Sequence, residues 1–528
     1  MFPFSEAAMP HDHPVTPESS ARAPDRYRHA SETGASSASS SALLALITRL
    51  HFYIGLFVGP FLFVAALSGI VYALTPQLEN ALYAHALRTP KRGPALPLSR
   101  QIDAARAQAG ADARLVAVRP APAPGTTTRV MFARSDFGPS QSRALFVDPV
   151  SGEVRGDMEV YGTSGVLPLR SLLDRFHRGL LLGEPGRVYS ELAASWLWIA
   201  ALGGLVLWLA RRRARRPASD ARPRQALRRW HEYLGLLAMI GLLFFSATGL
   251  TWSKWAGDNI GLLRARYGWS TPSVSTRLVT PAGDARPAMP AGSDGAMAGM
   301  AGMAGMASMP GMHHMEHGDA TAMHHMDAGS APGGEHAEHM AMTAVGPAPA
   351  ATFDAVLRAA RQAGIASPQI EIRPGAPGKA WTVSEIDRRW PTHVDAAAVD
   401  PKSLRVTDVV RFRDYPLAAK LTRWGIDAHM GTLFGLFNQL LLIAAALGLL
   451  AMVVLGYLMW WQRRPTRASR VPRSGPFATL KRLPWPTRCV VLALAVALGV
   501  ALPVFGASLL LFVLCDAVLC ALPARRMR

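Results

Sequence analysis

Cysteine is scarce in this chain: there are three in 528 residues, Cys489, Cys515 and Cys520, all inside the last apolar region. None is placed to form a disulfide in an extracytoplasmic domain, and none has metal-site spacing. No Cys-x-x-Cys-His occurs, which excludes covalent c-type haem attachment. Acidic residues are few, 36 against 56 Lys and Arg, for a formal net charge of +20. That excess does not point to nucleic acid, because the basic clusters (211–216, 222–229, 463–473, 481–482 and 525–528) all flank apolar runs. Such flanking is the positive-inside pattern of a membrane protein, whereas a nucleic-acid groove interleaves basic with aromatic residues. There is no Gly-rich phosphate loop, Ser/His/Asp set or zinc-protease helix motif, and no flavin or nicotinamide domain is visible. No signal peptide of the charged-apolar-cleavage type precedes the first apolar run, so that run is expected to remain as an anchor.

What the chain has in quantity is apolar residues, 50% of the total, gathered into runs long enough to cross a bilayer (about 18 residues or more). The runs and the polar stretches between them predict an α-helical membrane protein with a tandem-duplicated four-helix core, two small periplasmic α+β domains and a C-terminal hairpin of two short spans. Residues 1–45 read as a disordered cytoplasmic tail, 46–78 as transmembrane helix 1 with Pro60 as a candidate kink, and 90–165 as the first small domain. Residues 170–210 read as an interfacial helix and transmembrane helix 2, 211–229 as a basic cytoplasmic loop, and 230–256 as transmembrane helix 3. Residues 280–350 are a low-complexity insertion, 351–415 the second small domain, 420–462 transmembrane helix 4, 463–487 a second basic loop and 488–522 the hairpin. Within the first small domain, Gln101–Gly110 predicts a helix, Thr128–Ala133 and Arg143–Val147 predict strands, and Asp148-Pro149 with Ser151-Gly152 predicts the turn into a further strand. With the basic clusters on one side, both termini face the cytoplasm and the small domains face the periplasm of a bacterial inner membrane.

The duplication is legible by alignment. Arg49, His51, Tyr53 and Gly55 match Arg229, His231, Tyr233 and Gly235 at 231 − 51 = 180. A second offset, 400 − 148 = 252, relates the two Val-Asp-Pro turns and carries His177 to His429, Gly179 to Gly431 and Gly183 to Gly435. Outside the tail and the insertion six histidines remain, and four of them form the pairs His51/His231 and His177/His429. The other two, His85 and His393, have no repeat partner and read as surface residues. A histidine at the mouth of a membrane span is costly and is a functional candidate by default. Repeat-related histidines facing one another across a pseudo-two-fold axis would give axial pairs for haem iron, one pair near each membrane surface, hence two b-type haems. The glycines near them leave room for a flat macrocycle, and Arg49, Arg229 and Arg178 are candidates to pair with propionates.

The two offsets differ by 252 − 180 = 72, and the insertion accounts for the surplus. It carries 12 of the 21 methionines and 7 of the 16 histidines. Its candidate metal ligands are Met300, Met303, Met306, Met309, Met312, His313, His314, Met315, His317, Met323, His324, His325, Met326, His336 and His339. Thioether sulfur selects copper(I) and imidazole suits copper(II), so a flexible segment bearing both is a candidate copper collector.

The segments Arg49-Leu50-His51-Phe52-Tyr53-Ile54-Gly55 and His177-Arg178-Gly179-Leu180-Leu181-Leu182-Gly183, the Val-Asp-Pro turns at 147 and 399, and His429-Met430-Gly431-Thr432-Leu433-Phe434-Gly435 running to Trp460-Trp461 together resemble the PepSY-associated transmembrane family, also described as iron-regulated membrane proteins. The resemblance covers about residues 45–465. It implies an inner-membrane reductase with two haems on His51, His177, His231 and His429, acting on ferric siderophores in the periplasm. The Met/His insertion departs from the family pattern and brings Cu(II) in beside iron. The expected partners are the lipid bilayer, a periplasmic metal chelate or copper ion, and an electron donor that is either quinol or a cytoplasmic reductase. Two other classes compete with the reductase: a non-enzymatic copper or iron handling protein, and a regulator binding a peptidase or peptide through its PepSY domains.

Overall fold

The computed structural model describes residues 41–110, 113–134, 136–137, 141–162, 165–213, 223–278, 348–462 and 475–521. The N-terminal tail and all fifteen candidate ligands of the Met/His insertion lie outside them. Four helices among the described residues are long and apolar enough to cross a membrane: Ser41–Ala73 (α1), Arg187–Arg213 (α6), Gln225–Thr251 within Pro223–Thr251 (α7), and Leu436–Trp461 (α11). Residues such as Leu237, Ile240 and Phe437 are largely exposed on them, as lipid-facing positions must be. The apolar helices Trp485–Ala501 (α13) and Pro503–Ala521 (α14) are shorter and meet at Pro503, forming the expected hairpin.

α1 is not a uniform helix. Residues Ile54–Val58 form a π-turn closed by the Gly59 N–H on the Ile54 carbonyl. The cause is Pro60, which has no N–H to offer the Leu56 carbonyl four residues back. The Tyr457 hydroxyl donates to that carbonyl instead, at 2.6 Å.

The chain forms two compact units: residues 1–60, 195–237 and 452–528, and residues 61–194 and 238–451. In the second unit, helices Thr75–Leu82 (α2), Ala84–Leu87 (α3) and Leu98–Ala109 (α4) precede strands Arg114–Arg119 (β1), Thr128–Ala133 (β2), Gln141–Val147 (β3) and Val154–Tyr161 (β4). Pro168–Gly179 (α5) then leads to α6. The second half repeats the order: Trp255–Arg266 (α8), Ala350–Gln362 (α9), Ile370–Arg373 (β5), Trp381–Glu385 (β6), Ala396–Val399 (β7), Val406–Val410 (β8) and Leu417–His429 (α10).

The two small domains are not separate. Their strands make one eight-stranded sheet in the order β4-β3-β2-β1-β5-β6-β7-β8. The halves join through β1 and β5, antiparallel, with Val118 opposite Ile372. That register sets Arg119 opposite Glu371; Val118-Arg119-Pro120 matches Ile372-Arg373-Pro374 at 372 − 118 = 254, so Val118 faces its own copy. Arg119 and Glu371 make an ion pair of 2.6 Å across this seam. Helices α4 and α9 cover one face of the sheet, closing a common core of fully buried Ile102, Phe132, Leu145, Phe353, Ile370 and Val383. Burying each such side chain contributes about 1.5–3 kcal/mol, which explains why the halves fuse: a four-stranded half with one helix would leave its inner edge and part of this core open to water.

Candidate functional site

The first histidine pair lies in the unit of residues 1–60, 195–237 and 452–528. His51 is on α1 and His231 on α7, and their ring centroids are 6.3 Å apart with planes at 87°. His51 Nδ1 lies 3.0 Å from the Ala200 carbonyl, and His231 Nδ1 lies 3.1 Å from the Met452 carbonyl. A carbonyl only accepts, so both Nδ1 atoms carry the proton and both Nε2 atoms keep their lone pair. The acceptors obey the internal repeat, since 452 − 200 = 252 while 231 − 51 = 180. Glycines allow the close approach on α6: a side chain at Gly204 would begin 3.2 Å from His51 Cε1. At Gly55, one turn beyond His51, a Cβ would meet nothing within 4 Å, so the structure leaves open space there. Gly235, its repeat partner, instead faces the Met452 sulfur.

The second pair lies in the sheet-bearing unit. His177 is at the end of α5 and His429 is the last residue of α10. His177 Nδ1 is 2.8 Å from the Ser68 hydroxyl and His429 Nδ1 is 2.6 Å from the Thr248 hydroxyl. Here too the partners are repeat-related, with 248 − 68 = 180 and 429 − 177 = 252. The direction of these bonds follows from what else the hydroxyls do. Ser68 donates to the Val64 carbonyl at 2.8 Å, and Thr248 donates to the Phe244 carbonyl at 2.6 Å. Each hydroxyl proton is thus committed, so the imidazole Nδ1–H donates and Nε2 is again bare.

Burial lowers the pKa of His177, with Asp174 opposing and Arg178 assisting. Burial, and then the charge of His177, pushes His429 down to about 3. Both are therefore neutral imidazoles, the form a metal requires, and they are near enough to feel one another. Each is half-buried, with accessible surface remaining. The walls differ. Phe244, Phe245 and Trp252 stand 6.2, 5.7 and 5.8 Å from His429 between ring centroids; their repeat equivalents beside His177 are Val64, Ala65 and Tyr72.

Two features expected around the histidines have another physical role. Gly183, Gly431 and Gly435 adopt positive φ of 67°, 75° and 59°, so they serve the turns that end α5 and α10. Of the three arginines, Arg178 lies close enough to His177 for its charge to act on the ring. Arg49 donates to the Gly475 carbonyl at 3.0 Å and to the Thr479 hydroxyl. Arg178 pairs with Asp174 at 2.6 Å one turn away, and Arg229 is exposed. His85 and His393 are surface residues as expected.

The hydroxyls of Ser68 and Thr248 and the carbonyls of Ala200 and Met452 are hydrogen-bond partners of the four imidazoles that sequence reasoning missed. Ser68 and Thr248 stand at equivalent places in the repeat, which was the available signal; a backbone carbonyl leaves none. Among the described residues no group of three or more His, Cys, Asp or Glu side chains gathers to hold a metal ion.

No curated protein matches the chain. A family model does, over residues 48–463 of 528, a range that takes in all four histidines and both halves of the sheet. The chain belongs to the family described as the PepSY-associated TM region.

Proposed function

We propose that the two histidine pairs hold two b-type haems and that the chain is a bacterial inner-membrane oxidoreductase built on a tandem-duplicated core. The observation that carries this reading is the common tautomer. All four imidazoles are held through Nδ1–H, and a metal-ligating histidine is oriented in this way, its other nitrogen left for the iron. The spacing of the first pair fits as well. The rings of His51 and His231, with centroids 6.3 Å apart, would hold an iron between them, and it would supply the one-electron chemistry. Open space at Gly55 suits a flat group against the backbone.

Haem iron supplies one-electron redox chemistry. The chain's own residues supply the rest. Ala200, Met452, Ser68 and Thr248 fix the imidazole orientations, and the acceptor strength of each partner tunes ligand basicity. The aromatic wall at His429 and the smaller one at His177 give the second pair unequal surroundings, and thereby a dry, asymmetric site.

The donor is quinol or a cytoplasmic reductase, and each electron delivered converts one Fe(III) to Fe(II) or one Cu(II) to Cu(I). The flanking basic clusters support an orientation with both termini in the cytoplasm and the sheet in the periplasm, where it would shape the docking surface for a ferric chelate. The Met/His insertion of this chain favours copper as an additional cargo, since soft sulfur ligands retain the reduced ion.

The purified protein is expected to give a dithionite-reduced b-type Soret and α-band spectrum that a periplasmic-type ferric chelate reoxidises. Absence of haem from intact protein overturns the reading. Haem that is reduced but inert to both ferric chelate and Cu(II) overturns the assigned acceptor.

A further inference from the structure

We infer that Arg49, helix Pro476–Lys481 (α12) and Asp516 form a positioning device that clips the C-terminal hairpin onto the helix carrying His51 and sets the environment of the His51/His231 pair alone. The inference rests on the haem reading above. α12, α13 and α14 lie beyond the family match, which ends at residue 463, and they have no counterpart in the internal repeat. Yet they are fastened to the histidine-bearing helices at several points.

Asp516 is the one Asp, Glu, Lys or Arg in the apolar helix Pro503–Ala521. A charge in such a segment is costly and needs a reason. Its Oδ2 accepts the Phe477 N–H at 2.8 Å, which anchors the start of α12 to the hairpin. From the other side Arg49 grips the same short helix, at the Gly475 carbonyl and the Thr479 hydroxyl. Thr479 is 3% exposed and donates its own proton to the Gly475 carbonyl at 2.9 Å. Tyr53, four residues after Arg49, packs against Phe512 of the hairpin with centroids 5.2 Å apart.

Residues four apart share a helix face and residues two apart do not. Arg49 and Tyr53 therefore present one face of α1 to the hairpin, while His51, midway between them, points the other way to the Ala200 carbonyl. The hairpin braces that acceptor's helix too. Trp196, one turn before Ala200, donates Nε1–H to the Ser508 hydroxyl at 3.0 Å and packs on Phe505 at 4.6 Å. Both ends of the His51–Ala200 bond are thus held from behind by a segment that the duplication does not supply. This gives Arg49 a different task from propionate binding.

The test is an optical redox titration with low-temperature electron paramagnetic resonance on full-length Asp516→Asn, Arg49→Lys and Thr479→Val. His51→Ala identifies which signals belong to the first pair. The expected result is unchanged haem content, a shifted midpoint potential and broadened low-spin signal for the His51/His231 haem, and an unmoved second haem. Two unmoved haems, or two that shift together, overturn the inference while leaving the haem reading intact. Wild-type protein without haem removes both.

Discussion

At the residue scale, function turns on which nitrogen of each imidazole carries the proton. A lone histidine near a membrane surface is ambiguous, but here all four Nδ1 atoms lie within hydrogen-bond distance of an oxygen, which is the arrangement the proposed ligand role calls for. The histidines and their pairing were legible in the sequence, because imidazole is scarce outside the tail and the insertion and the offsets of 180 and 252 align what remains. The backbone carbonyls of Ala200 and Met452 were not, since any residue type offers one. The expected propionate role for Arg49 and Arg178 was read from proximity along the chain. Helix geometry sends Arg49 to the face opposite His51, and a carboxylate one turn away occupies Arg178. A second-layer contact of this kind typically costs 10- to 100-fold in metal affinity when removed. Thr248→Val, which keeps the shape and deletes the acceptor, should therefore weaken haem retention by about that factor at the His429 site, as read by haem loss to apomyoglobin. Unchanged retention would show that Thr248 does not orient the ligand.

At the element scale, the strongest lesson is the seam of the sheet. Strand positions followed from alternation and turn residues: β2 was legible at both ends, and β3, β4 and the helix at Leu98–Ala109 within a few residues. The fusion of the two halves was not, because it depends on one short antiparallel contact between β1 and β5, which hydrophobic pattern alone cannot assign to a partner. At that seam Glu371 is 5% exposed and bonded to Arg119 (2.7 Å) and Arg373. Burial pushes its carboxyl up, but the two guanidinium groups outweigh burial and hold it below its ordinary value. A carboxylate with a depressed folded pKa stabilises the fold above its unfolded value, roughly 4.3, and that contribution is lost as pH falls through the lower folded pKa. Glu371→Gln leaves Arg119 buried without its charge partner and should cost on the order of 3 kcal/mol near neutral pH. The gap from wild type should narrow on acidification below about pH 4. Thermal unfolding of both proteins across that range checks it, and a gap independent of pH would contradict the assignment.

At the scale of the whole molecule, the repeated sequence carries additions of its own: a Met/His-rich segment between the two copies, and a C-terminal hairpin that contacts the helix of His51. The duplication matters energetically as well as historically. It lets repeat-related positions differ, as Tyr72 and Trp252 do at an offset of 252 − 72 = 180. The aromatic ring contacts of His429 are to Phe244, Phe245 and Trp252. The claim on which the rest depends is that each histidine pair holds one haem. The most direct measurement is the haem-to-protein ratio, by pyridine haemochrome assay and quantitative amino-acid analysis, for the wild type and for His231→Ala, His429→Ala and the double variant, each checked for correct folding by its melting profile. The account predicts ratios of about two, one, one and zero, since each substitution removes one of two axial imidazoles from a different iron. A ratio that does not change in either single variant, or that falls to zero in both, would contradict it.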